Sequence, residues 1–392
     1  MDFSLNAEQR RWQGIAREFA QSQIAPISLE RDRIADPRAT FDWEVIRKGS
    51  RLGLRTLAVP RAWGGHGADH VTQALVMAEL AKCDSSVSKT FSQCWKQSYN
   101  LAGPACTDDQ RERFLRPFVE DDGYLLGSGT TEPNAGSDNR MPPPEDPRAG
   151  VQLKAERHGD KWLLNGEKCF IANGSVASLF FVRTRTNPEV SIREGTTVFL
   201  VPRDTPGFRT GKVFNKSGWR FYQNAELIFE NAEVPHANLV GEVNGAARAR
   251  TGDGSQYSDF ELAANAMGVC DAAVEMGIAH ARAVTRGGMR LTDQQVAQLR
   301  LSEMQMLAET LRSYVMRVAW ERDQGAGHNI NNTLLMNYST DAIQRVTRLN
   351  LELHEQSDGR IDARAEKLCR DAFIWTHLAG SVVHRMKVAR DH

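Results

Sequence analysis

The sequence predicts an α+β protein, mainly α, with an N-terminal helical domain, a central β-barrel-like domain and a C-terminal four-helix bundle. Three observations predict this order. Apolar residues recur at helical spacing near the start, alternating and turn-rich segments begin after Gly123, and long helical patterns run from about residue 255 to the end. We place the domains at residues 1–122, 123–242 and 243–392.

The first helix is predicted from its start signal and its apolar spacing. Asn6 and Gln9 stand three residues apart, which is the spacing of a capping box. Trp12 and Phe19 then recur on one helical face, and Pro26 should end or bend the helix. A second helical pattern covers roughly residues 70–83.

The middle of the chain is predicted to be β-rich. Residues 151–155 alternate between apolar and polar, and the turn residues 158–160 follow them. Asn165-Gly166 is a strong signal for a two-residue hairpin turn. Further strands are predicted at 197–201 and 226–229.

The last third of the chain is predicted to be an antiparallel bundle of four helices. Gly325 and Gly359 stand in two of the joints between the helical patterns. The predicted helices cover roughly residues 258–285, 291–323, 331–355 and 362–389.

Composition excludes several classes of function. The 392 residues include 49 basic and 49 acidic side chains, so no basic field attracts nucleic acid or an anionic membrane. Apolar runs are short and the N-terminus lacks a basic and apolar leader, which predicts neither a membrane span nor a targeting peptide. Six scattered cysteines without a C-x-x-C pair indicate no zinc or disulfide framework and fit the cytoplasm.

The most informative stretch is the run Thr130–Asp138, which reads TTEPNAGSD. Two hydroxyls precede a proline and a turn of small residues, and Ser-Asp closes the run. Such a bend exposes backbone N–H groups and short hydroxyl donors. It therefore suits a planar ligand that is rich in hydrogen-bond acceptors.

Several motifs in the same order along the chain carry a family resemblance. They lie at residues 64–67 (GGHG), 130–138, 165–174 (NGEKCFIANG), 216–220 (KSGWR) and 370–372 (RDA). Together with the helix–sheet–helix order, this set resembles the acyl-CoA dehydrogenase family. The resemblance implies a homotetramer or dimer with FAD between the β domain and the C-terminal bundle, oxidising an acyl-CoA-type thioester.

The resemblance also implies a set of cofactor-binding residues. The run Thr130–Asp138 would line the flavin ring and the thioester end of the ligand, and the segment around Phe170 would lie behind the ring. Arg286 would be the remnant of a stretch that reaches the FAD of a neighbouring subunit, while acidic residues at 352–358 would repel the pyrophosphate. The implied residues are Ser128, Thr130, Thr131, Gly136, Ser137, Phe170, Ile171, Ala172 and Arg286.

The family's catalytic base is where this sequence departs from the pattern. Counting from the RDA motif, the glutamate that removes the α-proton in many members falls on Ala379, which cannot accept a proton. Other members carry the base on the first long helix of the C-terminal domain, at the position of Ser258 here. The sequence-based candidates are therefore Asp259 and Glu261.

Other residues are weaker candidates for the site. His377 and His384 lie near the Ala379 position and can exchange protons. Trp95, Trp375 and Tyr222 are candidate walls of a ligand pocket that should lie beside Ser137, Phe170 and Ala379.

Three functions remain open from the sequence. The first is an acyl-CoA dehydrogenase with a displaced base. The second is a flavin-dependent monooxygenase on the same fold, which needs no such glutamate. The third is a non-catalytic subunit that assembles with a paralogous, catalytic chain. Neither nucleic acid nor a membrane is an expected partner.

Overall fold

The computed structural model describes residues 4–140, 146–249, 257–325, 330–355, 360–378 and 381–390. The helices are α1 (Ala7–Phe19), α2 (Ala25–Arg33), α3 (Trp43–Arg51), α4 (His70–Ala102), α5 (Asp108–Gln110), α6 (Arg116–Glu120), α7 (Tyr257–Ala283), α8 (Gln295–Asp323), α9 (Ile330–His354), α10 (Ala363–Phe373) and α11 (Ser381–Arg390). The strands are β1 (Leu126–Gly129), β2 (Lys154–His158), β3 (Lys161–Ile171), β4 (Leu179–Arg185), β5 (Thr196–Pro202), β6 (Phe208–Val213), β7 (Ala225–Pro235), β8 (Leu239–Val240), β9 (Thr285–Arg286) and β10 (Met289–Arg290). The predicted fold class is confirmed.

The predicted start of the first helix is confirmed. Asn6 and Gln9 exchange side-chain and backbone hydrogen bonds of 2.8 and 2.9 Å, which completes the capping box. A π-helical turn at Ala20–Ile24 then precedes α2, whose first turn contains Pro26. The missing N–H of the proline is tolerated there because the first turn of a helix leaves its N–H groups free.

Helix α4 runs much further than the predicted 70–83. It is interrupted at Asp84, which has φ −160° and ψ 111°. The helix resumes because the Asp84 side chain accepts a hydrogen bond of 2.9 Å from the backbone N–H of Ser86, as an N-cap does. The second half of α4 then continues to Ala102 as a mostly buried helix.

The central sheet is open, so the β-barrel-like expectation is wrong. Its strands run in the order β6-β7-β3-β2-β4-β5-β8, and β1 lies beside β4 in parallel. The two ends of this path, β6 and β8, do not pair with each other in the described part of the chain. Closure depends on strand tilt and register across the whole sheet, which local sequence does not specify.

The predicted hairpin at Asn165-Gly166 is also wrong, whereas the turn after His158 is confirmed. Strand β3 continues through Asn165, because its pairing with β7 resumes at Gly166 after a register shift. Asn165 accepts a hydrogen bond of 2.8 Å from the backbone N–H of Asn231, which has a left-handed φ of 51°. Non-local pairing with β7 therefore overrides the local turn signal, and the pair forms a β-bulge.

The C-terminal helices follow the prediction except at the last one. Helices α7, α8 and α9 lie close to the predicted ranges, but the fourth predicted helix, 362–389, is broken into α10 and α11. A 3₁₀ turn at Ile374–Thr376 follows α10. The Thr376 hydroxyl donates to the Phe373 carbonyl at 2.7 Å and satisfies an acceptor at the helix end.

Helix α7 is the one helix in the described ranges that is long and apolar enough to cross a membrane. It packs between α4 and α9, and 67% of its most apolar stretch is buried inside the protein. This burial is that of a core helix.

A buried ionic network joins the three parts of the fold. The Lys367 ammonium on α10 lies 2.7 Å from Asp371 and 3.0 Å from Asp84 on α4. Asp84 also accepts a hydrogen bond of 2.6 Å from Ser28, and Asp371 accepts one of 2.7 Å from the backbone N–H of Trp219 after β6. The Lys367 ammonium therefore fixes α10 against α4, and Asp371 fixes α10 against the segment between β6 and β7.

Candidate active site

The loop Thr130–Asp138 is fixed in place by its two acidic residues. Glu132 accepts hydrogen bonds from the backbone N–H groups of Gln152 (2.7 Å) and Leu153 (2.8 Å), and it forms a buried ion pair with Lys168 on β3 at 2.7 Å. Asp138 accepts hydrogen bonds from the backbone N–H groups of Gly136 in the loop (2.7 Å) and of Gly150 twelve residues later (2.6 Å). These carboxylates are structural, and the hydroxyl-bearing residues of the loop remain partly or fully exposed.

The Glu132–Lys168 pair is sensitive to loss of one partner. Burial lowers the pKa of Lys168 to about 8, although Glu132 opposes this shift. The ammonium group also donates to the Thr130 carbonyl at 3.3 Å. The pair therefore connects β3 directly to the start of the loop.

Replacing Lys168 with methionine is expected to lower the free energy of unfolding by about 3 kcal/mol, because it leaves the buried Glu132 carboxylate without its counter-charge. Urea unfolding of the purified variant measures this loss. The matched control is Lys161→Met on the same strand, since the exposed Lys161–Glu233 pair (2.8 Å) should contribute less than about 1 kcal/mol. Equal effects of the two substitutions would contradict the structural role of the pair.

The end of β3 presents an exposed aromatic face. Phe170 has a left-handed φ of 55° and is 57% exposed, and its ring stacks on Phe214 with centroids 4.1 Å apart. Its carbonyl accepts a hydrogen bond of 2.8 Å from the Asn224 side chain. Ala172 is half-buried and bridges to Ser128 on β1. A non-glycine residue held at positive φ with its ring exposed is typical of a functional site.

Lys216 lies behind this face. Its ammonium donates to the Tyr222 carbonyl and to the Asn224 side chain, both at 2.6 Å. Lys216 as a whole is half-buried, and its two hydrogen bonds hold the ammonium group against residues 222–224. Burial lowers the pKa of Lys216 from its ordinary 10.5 to about 7, although Asp371 opposes this shift.

We expect the stability of the protein to depend on pH through Lys216. Between pH 7 and 10.5 the folded chain holds this lysine neutral while the unfolded chain binds the proton, so raising the pH through this range stabilises the folded state. The melting temperature of the wild type minus that of Lys216→Met should therefore rise from pH 7 to 10. Lys212→Met is the control for losing one positive charge in the same region. If the difference in melting temperature changes with pH no more for Lys216→Met than for Lys212→Met, the lowered pKa of Lys216 is contradicted.

One face of α4 carries polar side chains where a core helix is usually apolar. Lys89, Gln93 and Gln97 recur every four residues, so they project from the same side. Lys96 and Asn100 extend this face toward the end of the helix. These residues belong to none of the sequence motifs above, although polar side chains at helical spacing are a signal that the sequence carries.

The outer half of this polar face lines a cleft between α4 and the sheet. Ser128 and Thr130 form the opposite side, at the end of β1 and the start of the loop. Two cationic residues, Lys96 and Arg183, lie in the cleft, and Arg183 is fixed by a hydrogen bond of 2.9 Å to the Ile192 carbonyl. The cleft is lined by Lys96, Gln97, Asn100, Ser128, Thr130, Phe181, Arg183, Val198, Val240 and Ala249.

Glu261 lies at the inner end of the same face. It is fully buried, and its Oε1 accepts from the Lys89 ammonium (2.5 Å) and from the Ser92 hydroxyl (2.6 Å). Its Oε2 has no hydrogen-bond partner in the described ranges. The Lys89 ammonium also donates to Gln93 Oε1 at 3.2 Å. One carboxylate oxygen is therefore held rigidly, and the other is left open.

Aromatic residues surround this inner end. The Tyr222 ring lies between two ammonium groups, 5.8 Å from Lys89 Nζ and 5.3 Å from Lys216 Nζ. Trp375 donates from its indole to the Leu262 carbonyl on α7 at 3.2 Å. Tyr222 is therefore close enough to Glu261 to feel its charge, and Trp375 contacts Leu262, the next residue of α7.

Some predicted residues lie elsewhere or outside the described residues. Trp95 is fully buried and donates to the Leu54 carbonyl at 2.7 Å, so it belongs to the core of the N-terminal helices. His377 is exposed after α10. Ala379 and the side chain of His384 lie outside the part of the chain that the structure describes, and Asp259 is buried two residues before Glu261.

Three comparisons with known proteins agree with this architecture. Profiles of the acyl-CoA dehydrogenase N-terminal, middle and C-terminal domains match residues 6–122, 127–232 and 256–391. The chain is 31% identical over 354 residues to the short-chain-specific acyl-CoA dehydrogenase of Megasphaera elsdenii, which covers 88% of each protein. The chain belongs to the acyl-CoA dehydrogenase family.

Other members of the family match over their full lengths. A probable acyl-CoA dehydrogenase of Bacillus subtilis is 29% identical across 100% of this chain and 99% of the relative. The butyryl-CoA dehydrogenase structure from Megasphaera elsdenii superimposes with a TM-score of 0.89 at 29% identity, covering 100% of this chain and 99% of that one. Membership in the family confirms the predicted class, an FAD-dependent oxidoreductase that acts on CH–CH groups.

The residues at the end of β3 fit the ring system of FAD. The exposed face of Phe170, backed by Phe214, offers an apolar surface for a planar aromatic group. Thr131 and Ala172 lie at the adjoining ends of the loop and the strand and are half-buried. Ile171 is 3% exposed and packs in the core, so its side chain is not offered to a ligand.

The remaining predicted cofactor residues are at the surface. Gly136 and Ser137 are exposed at the bend of the loop. Arg286 is exposed on the β9–β10 hairpin and donates to the Glu355 carbonyl at 2.6 Å. Glu352, one of the acidic residues expected to repel a pyrophosphate, pairs with two arginines, Arg300 and Arg348, each at 3.2 Å. These partners offset its negative charge.

Proposed function

We propose that this protein oxidises the α,β bond of an acyl-CoA thioester and that Glu261 is the proton acceptor. One observation carries the proposal, namely the open Oε2 of a buried carboxylate at the inner end of the polar face. Lys89 and Ser92 hold the other oxygen, so the open one has a fixed direction. A base needs both a free lone pair and a fixed position.

The cleft supplies the binding site for the thioester arm. Lys96 and Arg183 give it positive charge that suits the phosphates of coenzyme A. Ser128 and Thr130 place hydroxyl and backbone groups opposite them. Since residues 89, 93 and 97 project from one side of α4, an arm lying along the cleft directs the acyl chain toward Glu261.

The side chains of the protein perform the proton transfer in this reaction. Glu261 removes the α-proton while the electrons of that C–H bond form the new double bond. FAD, when bound, supplies the oxidant that takes the β-hydrogen with its electron pair. The enclosed aromatic walls, Tyr222 and Trp375, exclude water from the reacting carbons.

The reaction is tested by incubating the purified protein with saturated acyl-CoAs and an artificial electron acceptor. We expect 2-enoyl-CoA to form without oxygen. A product that forms only with oxygen and a flavin reductase would show the monooxygenase instead. A colourless chain that binds flavin only when expressed with a paralogous subunit would show the non-catalytic role.

We propose that the protein is a homo-oligomer. Val296, Leu299 and Met306 on α8 are 60%, 72% and 61% exposed, and their spacing puts them on one face. Burying this face against another copy of the chain would remove it from water. Light scattering of the purified protein gives the number of subunits, and a monomer would contradict the proposal.

We also place the protein in the cytoplasm. All six cysteines are free thiols in the structure. Cys94, Cys106 and Cys270 are buried, and burial raises the pKa of each thiol. Such thiols are typical of proteins from a reducing compartment. Fractionation of cells expressing the protein tests this location.

A further inference from the structure

Three buried hydrogen-bond donors near the proposed base have no partner in the described part of the chain. They are Gln93 Nε2, Gln97 Nε2 and the Tyr222 hydroxyl, and their residues are 3%, 1% and 3% exposed. Buried polar groups are normally hydrogen-bonded in folded proteins. Three open donors in one region therefore indicate that a ligand or solvent supplies the acceptors.

The two glutamine amides are oriented by the protein. Gln93 accepts from the Lys89 ammonium (3.2 Å) and Gln97 accepts from the Asn100 amide (3.0 Å), so each Oε1 is engaged and each NH₂ group is left free. Four residues of helix separate them by about 6 Å along the axis of α4. Gln97 lines the cleft, whereas Gln93 lies one turn deeper, beside the Lys89–Glu261 pair.

Tyr222 remains a donor at any physiological pH. Burial raises the pKa of its hydroxyl well above the ordinary value, and the nearby negative charge of Glu261 raises it further. The ring is fixed between Lys89 and Lys216 and packs edge-on against Trp219, with centroids 5.8 Å apart. The position of its hydroxyl is therefore defined before any ligand binds.

A saturated hydrocarbon chain cannot satisfy these donors. The thioester arm of coenzyme A brings amide acceptors for Gln97 in the cleft, and the thioester itself brings one carbonyl oxygen. Beyond that carbonyl, a simple aliphatic acyl group offers only C–H bonds to Gln93 and Tyr222. Displacing water from such donors without replacing its hydrogen bonds weakens binding.

We infer that the preferred acyl group carries an oxygen acceptor, a carbonyl or a hydroxyl, beyond the reacting carbons, and that Gln93 and Tyr222 bind it. The inference rests on the proposed function, because it places an acyl thioester in this cleft. It assigns Gln93 and Tyr222 to substrate specificity and leaves proton removal to Glu261. It also gives the polar face of α4 a role that a fatty-acyl substrate would not require.

Binding of matched acyl-CoAs to the purified holoenzyme tests the inference. In one pair, 4-oxopentanoyl-CoA and 4-methylpentanoyl-CoA differ by a carbonyl oxygen in place of a methyl group, and 5-oxohexanoyl-CoA and 5-methylhexanoyl-CoA form a longer pair. We expect the oxygenated member of at least one pair to bind about tenfold tighter or more, since only it satisfies the donors.

Variants separate this role from a structural one. Tyr222→Phe and Gln93→Met should each remove most of the preference for oxygen, so that the two members of a pair bind with affinities within about twofold of each other. Tyr124→Phe, a change of the same type beside Phe118, should keep the wild-type preference. A preference that survives in both site variants would overturn the assignment.

The outcomes also separate this inference from the proposed function. Equal binding of both members in both pairs would overturn the inference and show that the donors hold water. Preferential binding without reduction of the flavin by any acyl-CoA would support the inference and overturn the proposed reaction. Absence of binding by all four compounds would overturn both.

Discussion

Replacing Lys367 with methionine is expected to lower the free energy of unfolding by about 3–5 kcal/mol. The substitution leaves two carboxylates, Asp84 and Asp371, buried without the ammonium group that lies 3.0 and 2.7 Å from them. An uncompensated charge in the interior is among the most destabilising single changes. Urea unfolding at pH 7 measures the effect.

The control for Lys367→Met is Lys82→Met. Lys82 forms an ion pair of 2.6 Å with Glu275 between α4 and α7, but Glu275 is 65% exposed, so this pair should contribute less than about 1 kcal/mol. We also expect the loss of stability in Lys367→Met to shrink as the pH falls, because without the ammonium group burial favours the protonated form of both carboxylates in the folded state. If Lys367→Met lowers the free energy of unfolding no more than Lys82→Met does, the stabilising role of the buried ionic network is contradicted.

Replacing Glu261 with glutamine is expected to lower the rate of flavin reduction by acyl-CoA by about 10²- to 10⁴-fold. The amide keeps the shape of the side chain but cannot accept the α-proton. Stopped-flow absorbance of the flavin under anaerobic conditions measures the rate. Asp259→Asn, the matched change two residues earlier, should reduce the rate far less if Glu261 is the base.

Loss of the ion pair could also damage the fold, since Glu261→Gln leaves the Lys89 ammonium buried without its counter-charge. The double variant Glu261→Gln, Lys89→Met removes both charges and should recover the thermal stability lost in the single variant. It should remain as inactive as Glu261→Gln. Recovery of activity together with stability would show that Glu261 is structural.

Local signals in the sequence predicted the local features of the fold. The capping box at Asn6 depends only on residues three positions apart, and it forms as predicted. The hairpin signal at Asn165-Gly166 failed because strand β7, some 60 residues later, pairs across it. The open edges of the sheet, like the break between α10 and α11, depend on tertiary contacts that no single segment encodes.

In the candidate site, too, local features are predictable from the sequence, whereas partners from distant segments are not. The loop Thr130–Asp138 was predicted because its turn residues and hydroxyls are adjacent in sequence. The partners of Glu261 were not, since Lys89 and Ser92 lie about 170 positions earlier and meet it only when α4 packs on α7. The role of Lys168 was hidden in the same way, because its partner Glu132 lies on another element.

The packing of α4 on α7 is the reason for proposing Glu261 rather than Asp259 as the base. Asp259 and Glu261 were equivalent as carboxylates on one helix, and their spacing gave no reason to prefer either. Both are buried, and we favour Glu261 because Lys89 holds one of its oxygens while the other has no hydrogen-bond partner in the described residues. The hydrogen bonds and charges around a carboxylate depend on side chains from other helices and strands, which the sequence of one helix does not reveal.

Anaerobic titration of the purified protein with acyl-CoA tests whether Glu261 removes the α-proton in a flavin-dependent oxidation. The protein should carry bound FAD, and its flavin absorbance should bleach when a saturated or oxygen-bearing acyl-CoA is added. The Glu261→Gln variant should bind the same compounds with its absorbance nearly unchanged over the same time. A wild-type flavin that no acyl-CoA bleaches would contradict the proposed reaction, and a Glu261→Gln variant that bleaches at the wild-type rate would contradict the role of Glu261.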